Sequence, residues 1–189
     1  MTKMNTFVVS TLLALTTAQV SMAAPSNNQV HFKTPAIGGS GCPAGTTHHA
    51  ITPDGKTLSV LFDNYVAEPG NKSCNLAIPV HVPNGFQVST LKADFRGFVE
   101  GRAELRRSYF FAGQQGPSKR SHLSSRNGRD YLERDNLLLI SNSWSRCGED
   151  VNMRINSRIR TKTRNSFISV DSLDLSTGMV FQLQYRRCR

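Results

Sequence analysis

Val151-Asn152-Met153-Arg154-Ile155-Asn156-Ser157-Arg158-Ile159-Arg160-Thr161 is the stretch on which the fold turns. Val151, Met153, Ile155, Ser157 and Ile159 recur at every second position, and Asn152, Arg154, Asn156, Arg158 and Arg160 fill the positions between. Side chains alternate across a β-strand, so a period of two gives one apolar face and one polar, cationic face. A helix would scatter the same guanidinium groups around a cylinder. The segment reads as a strand, and extending the alternation carries Lys162 and Arg164 onto the cationic side.

The same period runs outward in both directions. Leu58, Val60 and Phe62 alternate after Pro53-Asp54-Gly55-Lys56, which marks a hairpin between 47–52 and 57–62. Leu76, Ile78, Val80 and Val82 alternate after Cys74, and Pro79 among them points to an edge strand. Pro83-Asn84-Gly85 opens a strand over 86–99, with a bulge or bend expected at Gly97, and 102–111 continues with Ala103, Leu105, Tyr109 and Phe111 in phase. The polar, basic stretch 113–128 reads as an exposed loop. Leu137-Leu138-Leu139-Ile140 reads as a central strand within 131–144, and 166–175 with 179–188 as a last hairpin. No stretch of helical length shows a 3.6-residue apolar period. Eight or nine strands with frequent turns predict an all-β, antiparallel, jelly-roll-like sandwich over 41–189.

Before that domain, Lys3, the uncharged apolar run from Phe7 to Ala18 and the small residues around Ser21-Met22-Ala23 have the form of a signal peptide cut after Ala23. The apolar run is about half the ~20 residues that span a bilayer, so no transmembrane segment is expected in the mature chain. Residues 24–40 read as a flexible lead-in ending at Gly38-Gly39-Ser40-Gly41. Export, extracellular or periplasmic, suits the four cysteines, an even number that favours two disulfides. Of three pairings, Cys42–Cys74 with Cys147–Cys188 is preferred, because each bridge then stays within its own half of the chain. Each closes a loop worth about 3–4 kcal/mol on a chain-entropy argument. Paired Cys-x-x-Cys spacing is absent, which weighs against zinc.

Gly41-Cys42-Pro43, Asp54-Gly55, Leu61-Phe62-Asp63-Asn64-Tyr65, Cys74-Asn75-Leu76, Pro83-Asn84-Gly85-Phe86, Phe95-Arg96-Gly97-Phe98, Cys147-Gly148, Asn152-Met153-Arg154-Ile155-Asn156, Asp171-Ser172 and a terminal Tyr185-x-x-Cys188 follow one another in order. Together they resemble the secreted family known as domain of unknown function 4360, from Gly41 to Cys188. The resemblance implies a secreted β-rich domain framed by these four cysteines, and it carries no activity. The family's usual Trp-x-x-Cys ending has Tyr185 in the aromatic position here. The arginine content is particular to this chain.

Charge is the remaining signal. Residues 24–95 hold four basic and four acidic side chains, whereas 96–189 hold eighteen basic, sixteen of them arginine, against nine acidic, a net of +9. Such a field seeks an anionic partner or keeps a cationic protein dispersed. Arg154, Arg158, Arg160, Lys162 and Arg164 form the candidate anion-binding row, with charges about 6.6 Å apart along the strand. The competing structural reading is a solvated face neutralised by Glu100, Glu104 or Glu133. A second basic group gathers Arg102, Arg106, Arg107, Lys119, Arg120, Arg126 and Arg129, partly in the expected loop. Tyr109 and Phe111 read as core, with Phe110 on the other face. His48 and His49 point opposite ways on a strand, and Asp130, Glu133 and Asp135 lack a calcium-loop pattern. With no nucleophile elbow, phosphate loop or His-Glu-x-x-His, no cofactor or metal is expected. The expected function is therefore an exported, non-enzymatic binding module for an anionic polysaccharide, nucleic acid or anionic surface. A structural or adhesion subunit that binds a protein is the second reading, and a glycan-active enzyme, needing two carboxylates in a cleft, the third.

Overall fold

Two long neighbouring strands carry the architecture. In the computed structural model, which describes residues 28–137, 144–171 and 179–188, β7 (Phe86–Phe111) pairs antiparallel with β8 (Ser118–Asn136), from Lys92 opposite Asn136 to Ser108 opposite Ser118. On its other edge β7 takes three partners in turn. β11 (Met179–Arg187) runs beside residues 86–95, β10 (Phe167–Val170) meets Val99 and Glu100, and β9 (Val151–Thr161) runs beside Ala103 to Phe111.

One hairpin thus belongs to two layers. Beyond β11 lie β4 (Thr57–Phe62) and β3 (Thr47–Ile51). Beyond β9 lies β6 (Asn71–His81), with β1 (His31–Phe32) and β2 (Ala36–Gly38) on its far edge. β5 (Tyr65–Ala67) pairs β10. All eleven strands form one antiparallel sheet folded over a core, an all-β sandwich with no α-helix among the described residues. The inward alternates of both layers fill it: Leu58, Val60 and Phe62 from one side, Leu76, Ile78, Met153, Ile155 and Ile159 from the other, all at most 1% exposed. Side-chain alternation puts these residues inside, and their burial supplies the main stabilising term.

Bridges join Cys42 to Cys74 and Cys147 to Cys188, with Cα separations of 5.4 and 5.9 Å, as the preferred pairing required. The hairpin of β3 and β4 forms around Gly55, whose φ of +69° is the left-handed conformation that suits glycine. β9 spans 151–161 with the expected alternation.

Other expectations are corrected. The loop expected over 113–128 is confined to 113–117: from Ser118 onward those residues are the first half of β8. Composition misled because β8 has only β7 beside it among the described residues, and it exposes most of its side chains. Its backbone hydrogen bonds, rather than its burial, hold it as a strand. The two segments expected over 86–99 and 102–111 are one strand. Its irregularity falls between Val99 and Gly101, where Arg126, Asn127 and Gly128 of β8 stand opposite Glu100 alone. Gly97 instead admits β10, since a Cβ there would lie 2.0 Å from the Ser169 carbonyl oxygen.

β10 and β11 do not pair with each other among the described residues, so the last expected hairpin is absent there. Nor is β6 an edge. Pro79 faces the interval between β1 and β2, where its missing N–H is not needed and its carbonyl accepts from Lys33 N at 2.8 Å. The lead-in carries β1 and β2, with Val30 and Phe32 buried. The expected signal peptide and Leu138–Ile140 lie outside the described residues, and Leu137 is buried.

Candidate functional site

The register of β6, β9, β7 and β8 turns one strand's alternation into a two-dimensional array. On the outer face Ser73, Arg158, Arg106 and Arg120 stand in one row across the four strands. The next row is Asn75, Asn156, Ser108 and Ser118, and the row on the other side is Asn71, Arg160, Glu104 and His122. Adjacent strands are about 4.8 Å apart, so three arginines lie abreast at cross-strand distance. A groove of about 590 Å³ follows the first two rows, with Arg106, Arg120 and Arg158 facing the hydroxyls and amides of Ser73, Ser108 and Asn156.

Glu104 anchors one end of this array. It is 2% exposed, pairs with Arg106 Nε, and receives Lys162 Nζ at 2.9 Å, with Arg120 Nε at 3.9 Å and His122 Nδ1 at 3.8 Å. The hydrogen bond from Lys162, joined by that from Arg106, outweighs burial and holds the Glu104 carboxyl down at about 2. On β6, in the same row as Glu104, Asn71 accepts at Oδ1 from Arg158 Nη2 at 2.8 Å, and among the described residues no carboxylate pairs with Arg154, Arg158 or Arg160.

The expected row is therefore regrouped. Arg158 and Arg160 sit in the array. Arg154 lies beyond the Asn156 row, beside Ala77 and half-buried Phe110. β9 ends at Thr161, so Lys162 turns back to Glu104 and Arg164 leaves this face altogether. Of the three acids expected to neutralise the row, only Glu104 does so. Arg106 and Arg120 are the functional candidates that strand-by-strand reading missed as partners of Arg158. Only the register between strands unites them, and the supposed loop hid Arg120.

Arg107, one residue from Arg106, faces inward and is 2% exposed. Its Nε donates to Asp135 Oδ2 at 2.7 Å and its Nη2 to Asp135 Oδ1 at 2.9 Å, while Nη1 reaches Ser121 Oγ at 2.9 Å. Tyr109 Oη donates to Asp135 Oδ2 at 2.5 Å. Burial and the adjacent Asp135 charge push the Tyr109 hydroxyl well above its ordinary range. Glu133 Oε2 lies 3.6 Å from Arg107 Nη2 at the edge of this cluster, whose Arg107–Asp135–Tyr109 centre is buried.

A second groove, of about 970 Å³, lies where the hairpin folds from one layer into the other. Phe98, Leu132 and Phe167 line it together with Glu68, Glu100, Asp130, Asp171, Arg96 and Arg164. Nothing in the local sequence announced it, because its walls come from four separate segments. No group of three or more His, Cys, Asp or Glu side chains suited to a metal occurs among the described residues, and no helix there is long and apolar enough to cross a membrane.

The family described as Domain of unknown function (DUF4360) matches residues 28–188. An uncharacterized secreted protein of Arthroderma benhamiae is 31% identical over 182 residues, which is 87% of this chain and 74% of that protein. Among solved structures, TmCBM61 in complex with β-1,4-galactotriose is similar at a TM-score of 0.35 and 11% identity, over 83% of this chain and 90% of that one. A likeness so distant says nothing about what this chain binds. The secreted relative and the two disulfides agree with the expected location outside the cytoplasm.

Proposed function

The chain belongs to the DUF4360 family, and from that premise we propose that it is a secreted, non-enzymatic binding module whose arginine face takes the acidic groups of an anionic polysaccharide. One observation carries the reading: Arg158, Arg106 and Arg120 stand abreast over a groove edged with serine and asparagine. Guanidinium forks match sulfate and carboxylate oxygens in pairs, which a lysine ammonium does not. The Ser73, Ser108, Asn75 and Asn156 side chains both donate and accept, as sugar hydroxyls require. Nucleic acid is disfavoured because neither row of the groove presents an aromatic ring on which a base would stack.

The test is retention on a sulfated and on a carboxylated polysaccharide across a salt gradient. Contacts of this kind on an exposed face are worth about 1 kcal/mol each, so Arg106→Ser, Arg120→Ser and Arg158→Ser together weaken binding about a hundredfold. A charge-matched control, Arg126→Ser with Arg129→Ser and Arg146→Ser, leaves most of it. Equal losses in the two triple variants reduce the interaction to net charge and sink the proposal.

A further inference from the structure

The groove at the fold of the hairpin has a different chemistry from the arginine face. Two glycines create it. Gly97 lets β10 close against β7, and a Cβ at Gly128 would lie 2.2 Å from the Phe98 ring, so that ring settles against bare backbone. Phe98 N donates to Ser169 Oγ at 3.2 Å and Asp171 N to Arg96 O at 2.9 Å, which fastens the β10 segment alongside β7. Phe98 and Phe167 then meet edge to face with centroids 6.1 Å apart. Leu132, 46% exposed, continues this apolar floor; only Tyr185 is a comparably exposed large apolar side chain among the described residues.

The rim is acidic on a protein whose net charge is +10. Glu68, Glu100, Asp130 and Asp171 face two cations, Arg96 and Arg164. Among the described residues, Glu68, Glu100 and Asp130 form no salt bridge. Half-buried rings and an exposed Leu132 beside carboxylates that form no salt bridge select a ligand with positive charge on a body that has an apolar side.

We propose that this groove is a second binding site, for an oligosaccharide of amino sugars whose amines are free and protonated. The C–H face of each pyranose ring covers Phe98, Phe167 and Leu132, and the ammonium groups pair with Glu68, Glu100 and Asp130. A neutral sugar satisfies the floor but leaves the carboxylates without counter-charge. A linear polyamine supplies charge without a ring to cover the floor. The proposal does not rest on the arginine face, and the acidic rim repels the polymers proposed for that face.

Calorimetric titration in mildly acidic buffer compares glucosamine tetramer, N-acetylglucosamine tetramer, spermine and a lysine-rich peptide of equal charge. The glucosamine tetramer binds saturably, and at least tenfold more tightly than the other three. Asp130→Asn with Glu100→Gln, which keeps side-chain size, weakens it about tenfold, as expected for two exposed charge contacts. Leu132→Ser weakens it further, while the triple arginine-to-serine variant of the other face binds as the parent does. Equal binding of the N-acetylated tetramer, tighter binding of spermine or the peptide, or indifference to Asp130→Asn with Glu100→Gln each overturns the proposal.

Discussion

Arg106 and Arg107 are adjacent in the chain and opposite in circumstance. Arg106 has a side chain 47% exposed in a row of guanidiniums, whereas the Arg107 side chain is 2% exposed inside the sandwich. Strand alternation alone sends them to different sides. What lets a guanidinium stay buried is the completeness of its partners. Asp135 takes two of its donors side by side, Ser121 Oγ a third, and the Leu105 carbonyl, at 3.3 Å, lies within reach. Asp135 stands opposite Ala93, in the half of β8 that belongs to the layer of β11. Arg107 pairs with Ser157 in the layer of β9. The buried pair therefore ties the two layers together on the side closed by β8, whereas the exposed arginine pairs with Glu104 and keeps part of its guanidinium open to a ligand. Residue type did not decide between these roles; partners across the sheet did.

Breaking the inner pair gives the largest effect. Asp135→Ala leaves a buried cation and the Tyr109 hydroxyl without their acceptor, and costs about 3–5 kcal/mol in chemical denaturation. That is a large share of the 5–15 kcal/mol typical of a domain. Replacing both members with apolar residues of similar volume, Arg107→Met with Asp135→Leu, costs less than Asp135→Ala alone, because no charge is stranded. A loss below about 1 kcal/mol in Asp135→Ala shows that the pair is not a fastening between layers.

The outer arginine sharpens the contrast. Arg106→Ala shifts stability by only about 0.5 kcal/mol, because Glu104 keeps Lys162, its strongest partner. It lowers retention on sulfated polysaccharide severalfold, because one of three abreast cations is gone. Unfolding measurements and affinity chromatography on the same two variants, Arg106→Ala and Asp135→Ala, then separate the roles. If Arg106→Ala destabilises as Asp135→Ala does, the distinction between an outer binding array and an inner fastening fails.

How much was legible follows from the same contrast. β9, β4 and β6 could be read because each buries one face, which forces an alternating pattern into the sequence. The bridges followed from an even cysteine number with each pair kept in its own half of the chain, and the all-β character from strand alternation and turn residues. β8 could not be read: with one neighbour among the described residues and few buried side chains, its Ser, Arg and Gly composition imitates a loop. Pro79 signalled an edge where the structure has a break in the adjoining ribbon. Arg106 and Arg120 lay in view as basic residues, but their place beside Arg158 depends on registers spanning dozens of residues. The acidic groove was less visible still, since Glu68, Asp130 and Asp171 meet only because the β7–β8 hairpin folds. Local periodicity reports which side of a strand is buried; it does not report which strands are neighbours.

Glu104 lies between the two regimes, on the outer face yet buried, and it offers the most discriminating effect. Its carboxyl is held down at about 2 in the folded protein, against 4.5 for the ordinary side chain. A depressed carboxyl stabilises the fold fully above the ordinary value and loses that contribution as pH falls from about 4.5 towards 2. Its partners Arg106, Arg120 and Lys162 are part-exposed and screened, so the contribution is about 1 kcal/mol rather than the full value of the shift. Glu104→Gln therefore flattens the acid limb of the stability profile by about that amount and leaves the profile above pH 5 parallel to the parent's. The same change releases Arg106 and Lys162 from an internal anion, so binding of a sulfated polysaccharide tightens about threefold even though the folded state is weaker. Stability and affinity moving in opposite directions is the signature of a carboxylate that competes with the ligand for the same guanidiniums. If both fall together, Glu104 positions those cations for binding rather than occupying them.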